Sequence, residues 1–220
     1  PVVHIANLTI QYQSNTVLQD FNWQIERGQN WVIGGKSGSG KTTLAKALAG
    51  LIPFEGLVNF DFQEQSTLPK QVLFVSNWYQ FTNLEGDKNF YYQQRYNKQQ
   101  KNDTLTVLAE LSHYAKENAL QLEDVENYLH TFGFENFRDS QLIELSSGEH
   151  KKLQLIKALW SKPQVLIIDQ PYTGLDRSSR KSLNQAFDHL ANLGVTLILI
   201  SNDEDLPSCI THFGEIQNGK

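Results

Sequence analysis

Residues 35–42 read Gly35-Lys36-Ser37-Gly38-Ser39-Gly40-Lys41-Thr42. This octapeptide matches the pattern G-x-x-x-x-G-K-[ST] in full, and it lies between a short apolar run at 31–34 and a segment with helical spacing at 43–51. We therefore expect a strand, a phosphate-binding loop and a helix in that order. The alternative, a glycine-rich structural turn, is disfavoured by this strand–loop–helix context.

Phosphate binding requires these residue types. Glycines let the backbone turn tightly, so that several N–H groups point at the phosphates, and the positive N-terminal end of the following helix adds to the attraction. Lys41 would reach the β- and γ-phosphates, and the Thr42 hydroxyl would be a ligand for Mg²⁺. All eight loop residues and Thr43 are therefore candidate nucleotide-binding residues, although a solvated side chain is the favoured interpretation of Lys36.

Composition limits the alternatives. The chain has 220 residues, 40% of them hydrophobic and 20% charged, which is typical of one globular domain or of a domain with a subdomain. A net charge of -5 argues against coating a nucleic-acid backbone, so nucleic acid is not an expected partner. The single cysteine, Cys209, excludes an internal disulfide and favours a reducing compartment. No apolar run approaches the roughly 20 residues of a membrane helix, so we expect a cytoplasmic protein, or one at the inner face of the cell membrane.

Apolar runs and turn signals alternate along the chain as strand, loop and helix, which predicts an α/β fold built of βαβ units. The run 165–168 is wholly apolar, as in central parallel strands, and 149–160 has the spacing of an amphipathic helix. From residue 77 the sequence becomes polar and aromatic, as in a mainly helical subdomain. Further strands are expected at 2–5, 8–12, 18–25, 72–75, 195–200 and 213–216, and further helices at 103–116, 122–132 and 178–193.

A second motif separates the many classes of P-loop protein. It reads Leu145-Ser146-Ser147-Gly148-Glu149, and about twenty residues later comes an acid-tipped strand, Val165-Leu166-Ile167-Ile168-Asp169. Gln170-Pro171 and Gly174-Leu175-Asp176 follow shortly after. This order and spacing resemble the ABC (ATP-binding cassette) ATPases over the whole chain: a Walker A loop, an LSGGQ-type signature, a Walker B strand and a D-loop.

The resemblance implies a P-loop NTPase core of the ABC ATPase type, with an N-terminal antiparallel β-subdomain and an inserted helical subdomain. Within a single domain, 1–220, the core would comprise residues 1–76 and 161–220, and about 77–160 would form the helical subdomain with the signature. The resemblance also implies ATP and Mg²⁺ as cofactors and an ABC-type ATPase activity.

The family further implies a head-to-tail pair of cassettes, with each ATP between one P-loop and the signature of the partner. Ser146 and Gly148 would lie at a helix N-terminus that faces the γ-phosphate of the partner. Ser-x-x-Glu is also a capping box, and the two roles are compatible. Ser147 and Glu149 replace a glycine and a glutamine of the family pattern, and the carboxylate could weaken the contact with phosphate. Asp176, in the D-loop, completes these candidates.

Three further positions match family roles. Tyr12 stands at the A-loop position, where an aromatic ring stacks on adenine, with ordinary sheet packing as the alternative. For the Q-loop glutamine, a catalytic residue and Mg²⁺ ligand, Gln80 is the preferred candidate and Asn77 the second. Asp169 would hold Mg²⁺, directly or through water, together with Thr42.

Two departures from the family concern hydrolysis. The family normally has a glutamate where this chain has Gln170, whose neutral amide cannot accept the proton of the attacking water. The family usually has a histidine at Asn202, which can still hydrogen-bond to the γ-phosphate but cannot carry a charge. Gln170 by itself could be an engineered change, but with Asn202 also altered a naturally slow site is better supported. We therefore expect strong binding and slow hydrolysis of ATP.

Residues 89–97, with the ending at 207–213, resemble the tandem ABC ATPases of the molybdate-transport-associated and photorepair types. The partner would be a second cassette, as a homodimer, a heterodimer or a tandem half. Three functions are open: an ATPase subunit bound to membrane-spanning transporter chains, a soluble tandem clamp, and a nucleotide-sensing module. Family frequency favours the first, whereas Gln170 and Asn202 favour the third for this half. A P-loop kinase for a small metabolite fits the loop but leaves the signature unexplained.

Overall fold

The computed structural model describes residues 1–69, 71–76 and 105–219, together with the backbone of two short strands at 80–82 and 88–90. The strands are β1 (Val3–Tyr12), β2 (Asn15–Ile25), β3 (Trp31–Gly34), β4 (Glu55–Phe60), β5 (Val72–Val75), β6 (Gln80–Thr82), β7 (Lys88–Phe90), β8 (Val165–Asp169), β9 (Thr196–Ile200) and β10 (His212–Glu215). The α-helices are α1 (Lys41–Leu48), α2 (Val107–Glu117), α3 (Glu126–Thr131), α4 (Ser147–Ser161) and α5 (Arg177–Asn192). None of the helices in these ranges combines the length and the apolar character needed to cross a membrane.

A parallel sheet forms the centre of the fold, with the strand order β10-β3-β9-β8-β5. Every residue of β8 and β9 is buried, which explains why both read as continuous apolar runs rather than as alternating patterns. The predicted α/β class with central parallel strands is confirmed. Parallel strands have their carboxyl ends at one edge of the sheet, so the loops after β3, β8 and β9 lie close to one another there.

A buried asparagine holds three of these strands in order. Asn30 is 6% exposed. Its Oδ1 accepts a hydrogen bond from the Leu197 amide of β9 at 2.9 Å, and its Nδ2 donates to the Cys209 carbonyl at 3.1 Å. Its backbone N–H donates to Thr211 Oγ1 at 2.9 Å, next to β10. Because an unpaired buried amide costs about 1–3 kcal/mol, this set of partners favours β3 between β9 and β10.

The N-terminal sheet is antiparallel, in the order β2-β1-β4, which confirms the predicted β-subdomain. β1 runs from residue 3 to residue 12, so the prediction of separate strands at 2–5 and 8–12 was wrong. The register shifts between Ile5 and Leu8, where Asn7 has a φ of 52°. This irregularity interrupts the alternation of apolar and polar residues, and for that reason one strand resembled two.

Two compact units make up the chain. The first comprises Pro1–Val75, Lys162–Pro171 and Leu183–Lys220, and the second comprises Ser76–Ser161 and Tyr172–Ser182. The second unit contains α2, α3 and α4. The predicted helix at 103–116 begins instead at residue 107, where Thr106 Oγ1 accepts from the Ala109 amide and caps α2. The predicted helix at 122–132 is a 3₁₀ turn, Leu122–Val125, followed by α3.

Candidate nucleotide-binding site

The phosphate loop connects β3 to α1 through conformations that favour glycine. Gly35 and Gly40 have φ values of 129° and 104°. A Cβ on Gly35 would lie 2.8 Å from the Ile216 carbonyl oxygen, and one on Gly40 would lie 3.0 Å from Leu18 Cδ2. Both positions therefore require the positive φ and the missing side chain of glycine.

The N-terminus of α1 is suited to an anion. Gly40 caps the helix without a side-chain hydrogen bond, and the first turn contains no acidic residue. The first N–H groups of a helix have no partner within it, and they carry the positive end of its dipole. Phosphate oxygens can bind such groups directly.

Lys41 lies inside the arch of the loop. Lys41 is only 8% exposed. The ammonium donates to the Gly35 and Lys36 carbonyls at 2.8 and 2.7 Å, and to Ser39 Oγ at 3.1 Å. These neutral acceptors satisfy its three N–H donors but do not neutralise the charge. A phosphate oxygen would be a stronger, charged acceptor for the same group.

Thr42 and Asp169 bring two oxygen atoms together at the edge of the parallel sheet. Thr42 Oγ1 donates to Asp169 Oδ2 at 2.6 Å, and Asp169 is 4% exposed at the end of β8. Mg²⁺ prefers oxygen ligands and is held in nucleotide sites by few protein groups together with phosphate and water. Within the described part of the chain, no cluster of three or more His, Cys, Asp or Glu residues could hold a metal. Thr42 and Asp169 supply two neighbouring oxygen donors, and this small donor set fits Mg²⁺ bound as part of a nucleotide complex.

Gln170 has a strained backbone directly after Asp169. Its φ of 52° lies in the left-handed region, which costs a residue with a side chain about 1–2 kcal/mol. The Gln170 amide donates to the Ile200 carbonyl of β9 at 2.9 Å, and this bond holds the turn beside the end of the neighbouring strand. Such strained residues are concentrated at functional sites.

Asn202 lies against the backbone of the phosphate loop. Its Oδ1 accepts from the Gly35 amide at 3.0 Å, and its Nδ2 donates to the Gly35 carbonyl at 3.2 Å. The sequence predicted a polar side chain near the γ-phosphate at this position and gave no signal for a paired contact with Gly35.

A cavity of about 630 Å³ lies beside the loop. This volume is typical of small-molecule sites. Residues 16–17 and 215–219 also line this cavity, although no sequence motif marks them. They reach the phosphate loop only through the fold, on the β1–β2 hairpin and at the end of β10. Tyr12 ends β1 and is 47% exposed, which leaves its ring accessible; its stacking on adenine stays a prediction. The cavity is lined by Thr16, Val17, Lys36, Ser37, Gly38, Ser39, Glu215, Ile216, Gln217, Asn218 and Gly219.

The signature in the second unit forms a capping box. The Ser146 amide donates to Glu149 Oε2 at 2.6 Å, and the Glu149 amide donates to Ser146 Oγ at 3.3 Å. The predicted capping box is confirmed. The Glu149 carboxylate therefore already occupies part of the positive N-terminal end of α4 that would face a phosphate.

The two middle signature positions differ in their surroundings. A Cβ on Gly148 would lie 2.8 Å from the Gly174 carbonyl oxygen, whereas Ser147 is exposed. The backbone contact with the D-loop thus explains why glycine is needed at one position and serine is tolerated at the other. Asp176 accepts from the Ser179 amide at 2.8 Å, and this bond is the main cause that lowers the pKa of its carboxyl to about 2.

His150 follows the signature and is 4% exposed. Burial is the main cause that lowers its pKa from 6.5 to about 4, against smaller raising effects of the Leu142 backbone, Glu149 and Glu110. As the pH falls, His150 is therefore protonated in the unfolded chain at a higher pH than in the folded chain.

We expect the free energy of unfolding to fall by up to about 3 kcal/mol between pH 6.5 and pH 4 because of His150 alone. A His150→Gln variant removes the titration, so the difference in stability between the two proteins should be constant above pH 6.5 and change below it. Urea unfolding at each pH measures this difference, in which the shared carboxylates cancel. Parallel stability curves from pH 8 to pH 4 would contradict the prediction.

The Q-loop candidates are Gln80 and Asn77. The backbone of Gln80 pairs with Phe90 in the antiparallel pair of strands β6 and β7. The side chain of Gln80 and the whole of Asn77 lie outside the described residues, so the role of Gln80 stays a prediction.

A parallel sheet with a phosphate loop, an acidic strand end and a separate signature-bearing unit defines a P-loop nucleotide-binding protein. The family model described as ABC transporter matches residues 18–173, and the chain belongs to this family of ATPases. The narrower resemblance to the molybdate-transport-associated and photorepair cassettes stays a prediction.

Known proteins resemble the chain over nearly its whole length. The spermidine/putrescine import ATP-binding protein PotA of Fusobacterium nucleatum is 29% identical over 208 residues, which cover 92% of this chain and 51% of that protein. The chain thus spans about half the length of the curated relatives it matches. Among solved structures, an ATP-binding subunit of an ABC transporter has a TM-score of 0.75 at 20% identity and covers 100% of this chain and 87% of the other. A dimeric ATP-binding cassette bound to ADP and Pi has a TM-score of 0.74 at 20% identity and covers 99% and 95%. These structures share the fold.

Proposed function

We propose that this chain is the Mg-ATP-binding cassette of an ABC-type system, pairs head to tail with a second cassette, and hydrolyses ATP slowly while energising a transporter. The observation that carries the proposal is the joint geometry of the phosphate loop and the end of β8. Lys41 presents a buried ammonium within the arch of the loop, and Thr42 lies 2.6 Å from Asp169.

The residues divide the work of binding. The N-terminus of α1 and Lys41 would hold the phosphates. Thr42 and Asp169 would hold Mg²⁺, which neutralises phosphate charge when it is bound. The cavity that Val17 and Ser39 help to line would take the nucleoside, and Tyr12 would stack on its adenine.

Two features of the chain support slow hydrolysis, one at the end of β8 and one in the signature. Gln170 occupies the position after Asp169 where a carboxylate would act as general base. Its side-chain carboxamide is neutral and cannot accept a proton from water. Glu149 places a negative charge at Ser146, where the signature of one cassette would meet the γ-phosphate bound by its partner. Both features reduce turnover without weakening the phosphate loop.

The proposed partners are a second cassette and membrane-spanning subunits. The chain would bind the latter at the inner face of the cell membrane. The names of relatives such as the spermidine/putrescine import protein support a role in transport. A nucleotide-sensing module with negligible turnover is the second candidate, and the combination of Gln170 and Asn202 favours it.

Binding of Mg-ATP tests the proposal most directly. Replacing Thr42 by valine keeps the shape of the side chain and removes the hydroxyl. We expect the Mg²⁺-dependent part of the ATP affinity to fall at least about tenfold, because a metal ligand is lost, while binding in EDTA changes little. Calorimetric titration with and without Mg²⁺ measures both quantities.

Thr67→Val is the matched control, since Thr67 is exposed and lies outside the site. It should behave as the native chain does. The proposal fails if the native chain does not bind ATP, and the role of Thr42 fails if Thr42→Val retains the full Mg²⁺ dependence.

A further inference from the structure

One side chain connects the end of β9 to the base of the phosphate loop. The Asn202 carboxamide accepts from the Gly35 amide at 3.0 Å and donates to the Gly35 carbonyl at 3.2 Å. A planar carboxamide offers one acceptor and one donor side by side, so it pairs with both backbone groups of a single residue, as a neighbouring strand would.

The turn that carries Asn202 is held on both sides. Ser201 Oγ accepts from the Asp203 amide at 3.0 Å and donates to Asp203 Oδ2 at 2.7 Å. The Ser201 amide donates to the Ile33 carbonyl at 3.2 Å, next to the last paired residues of β3 and β9. Gly34 leaves room for the contact, because a Cβ there would lie 3.2 Å from Asn202 Oδ1.

The same carbonyl connects Asn202 to the phosphate-binding lysine. The Gly35 oxygen accepts from Asn202 Nδ2 and also from Lys41 Nζ, at 3.2 and 2.8 Å. A carbonyl oxygen has two lone pairs, so these two donors complete its hydrogen bonding. Asn202 therefore fixes the oxygen on which the Lys41 ammonium is anchored.

We propose that Asn202 is a positioning residue that clamps the base of the phosphate loop through Gly35, rather than a contact to the γ-phosphate. The inference rests on the proposed binding of nucleotide to this loop. The clamp holds a part of the site that serves every bound phosphate chain, so it supports ADP and ATP equally.

The chemistry of the side chain explains why asparagine suits this place. A carboxylate would accept from the Gly35 amide, but it would repel the Gly35 carbonyl oxygen. The nitrogens of a neutral imidazole point outward from different corners of the ring, and they cannot face the two groups of one residue in the same way. The family histidine therefore cannot make the paired contact that Asn202 makes.

Nucleotide affinity separates the two roles. In Asn202→Ala we expect the dissociation constants of ADP and of Mg-ATP to rise by the same factor, roughly five- to twentyfold, since two hydrogen bonds are lost. Asn59→Ala, on an exposed strand position away from the loop, is the matched control and should bind as the native chain does. A loss confined to ATP would identify a γ-phosphate contact and overturn the proposal, as would unchanged affinity for both nucleotides.

Amide exchange in the nucleotide-free protein tests the clamp independently of the proposed function. With ¹⁵N-labelled glycine, the Gly35 amide should exchange roughly tenfold faster in Asn202→Ala than in the native chain, while the turn residue Gly28 is unaffected. Equal exchange of Gly35 in the two proteins would overturn the clamp even if the chain binds ATP. Faster exchange would support it even if the chain does not.

Discussion

Replacing Gln170 by glutamate should raise the rate of phosphate release from Mg-ATP by roughly 10²- to 10⁴-fold, the range expected of a well-placed general base. Gln170 directly follows Asp169, and its backbone N–H donates to the Ile200 carbonyl at 2.9 Å. This bond, which does not depend on the side chain, would hold residue 170 at the end of β8 in the glutamate variant as well.

The measurement compares phosphate release by the native chain, Gln170→Glu and Gln170→Ala over a range of protein concentrations. If two cassettes must pair, the gained rate should rise more steeply than the protein concentration. Gln170→Ala should stay as slow as the native chain, because it also lacks a base. Rapid turnover by the native chain would contradict the slow-site proposal, and so would a glutamate variant without any gain.

Two departures from the family pattern have different physical consequences. Gln170 lacks a proton acceptor, so its effect concerns the chemical step and leaves the phosphate loop intact. Both polar atoms of the Asn202 side chain are hydrogen-bonded to Gly35, so a change at Asn202 alters the conformation of the phosphate loop before any reaction occurs. Restoring glutamate should therefore raise the hydrolysis rate, whereas altering Asn202 should change binding.

The sequence predicted the parts of the fold that depend on local patterns. The loop after β3 was identified because its glycines and lysine have fixed spacing, and β8 because a central parallel strand is apolar throughout. β4 was not predicted, since its residues are mostly exposed and do not form an apolar run. The bulge in β1 also escaped prediction, because it depends on the left-handed conformation of Asn7 and on pairing with distant strands.

In the candidate site, too, local motifs were predictable from the sequence and long-range contacts were not. Lys41, Thr42 and Asp169 were predicted from motifs, and the structure brings the last two within 2.6 Å. The contact between Asn202 and Gly35 joins residues 167 positions apart, and no pattern in the sequence encodes such a distance. The proximity of residues 215–219 to the loop likewise depends on β10 lying beside β3.

Replacing Lys41 by alanine should weaken the binding of Mg-ATP roughly 100-fold or more. The ammonium of this buried residue would make charge-assisted hydrogen bonds with two phosphates, and each bond contributes about 1.5–3 kcal/mol. The variant also loses the three hydrogen bonds that tie Lys41 to the loop, so ADP should be affected as well.

Lys36→Ala is the matched control, since it removes the same charge from the same loop at an exposed position. Both variants change the net charge from -5 to -6, so any long-range attraction for the nucleotide falls equally. An exposed charge contributes about 0–1 kcal/mol, and we expect Lys36→Ala to weaken binding no more than about fivefold. Calorimetric titration of both variants with Mg-ATP and ADP measures the difference. Equal losses would show that charge alone attracts the nucleotide, whereas a loss specific to Lys41 follows from its buried position within the arch of the loop.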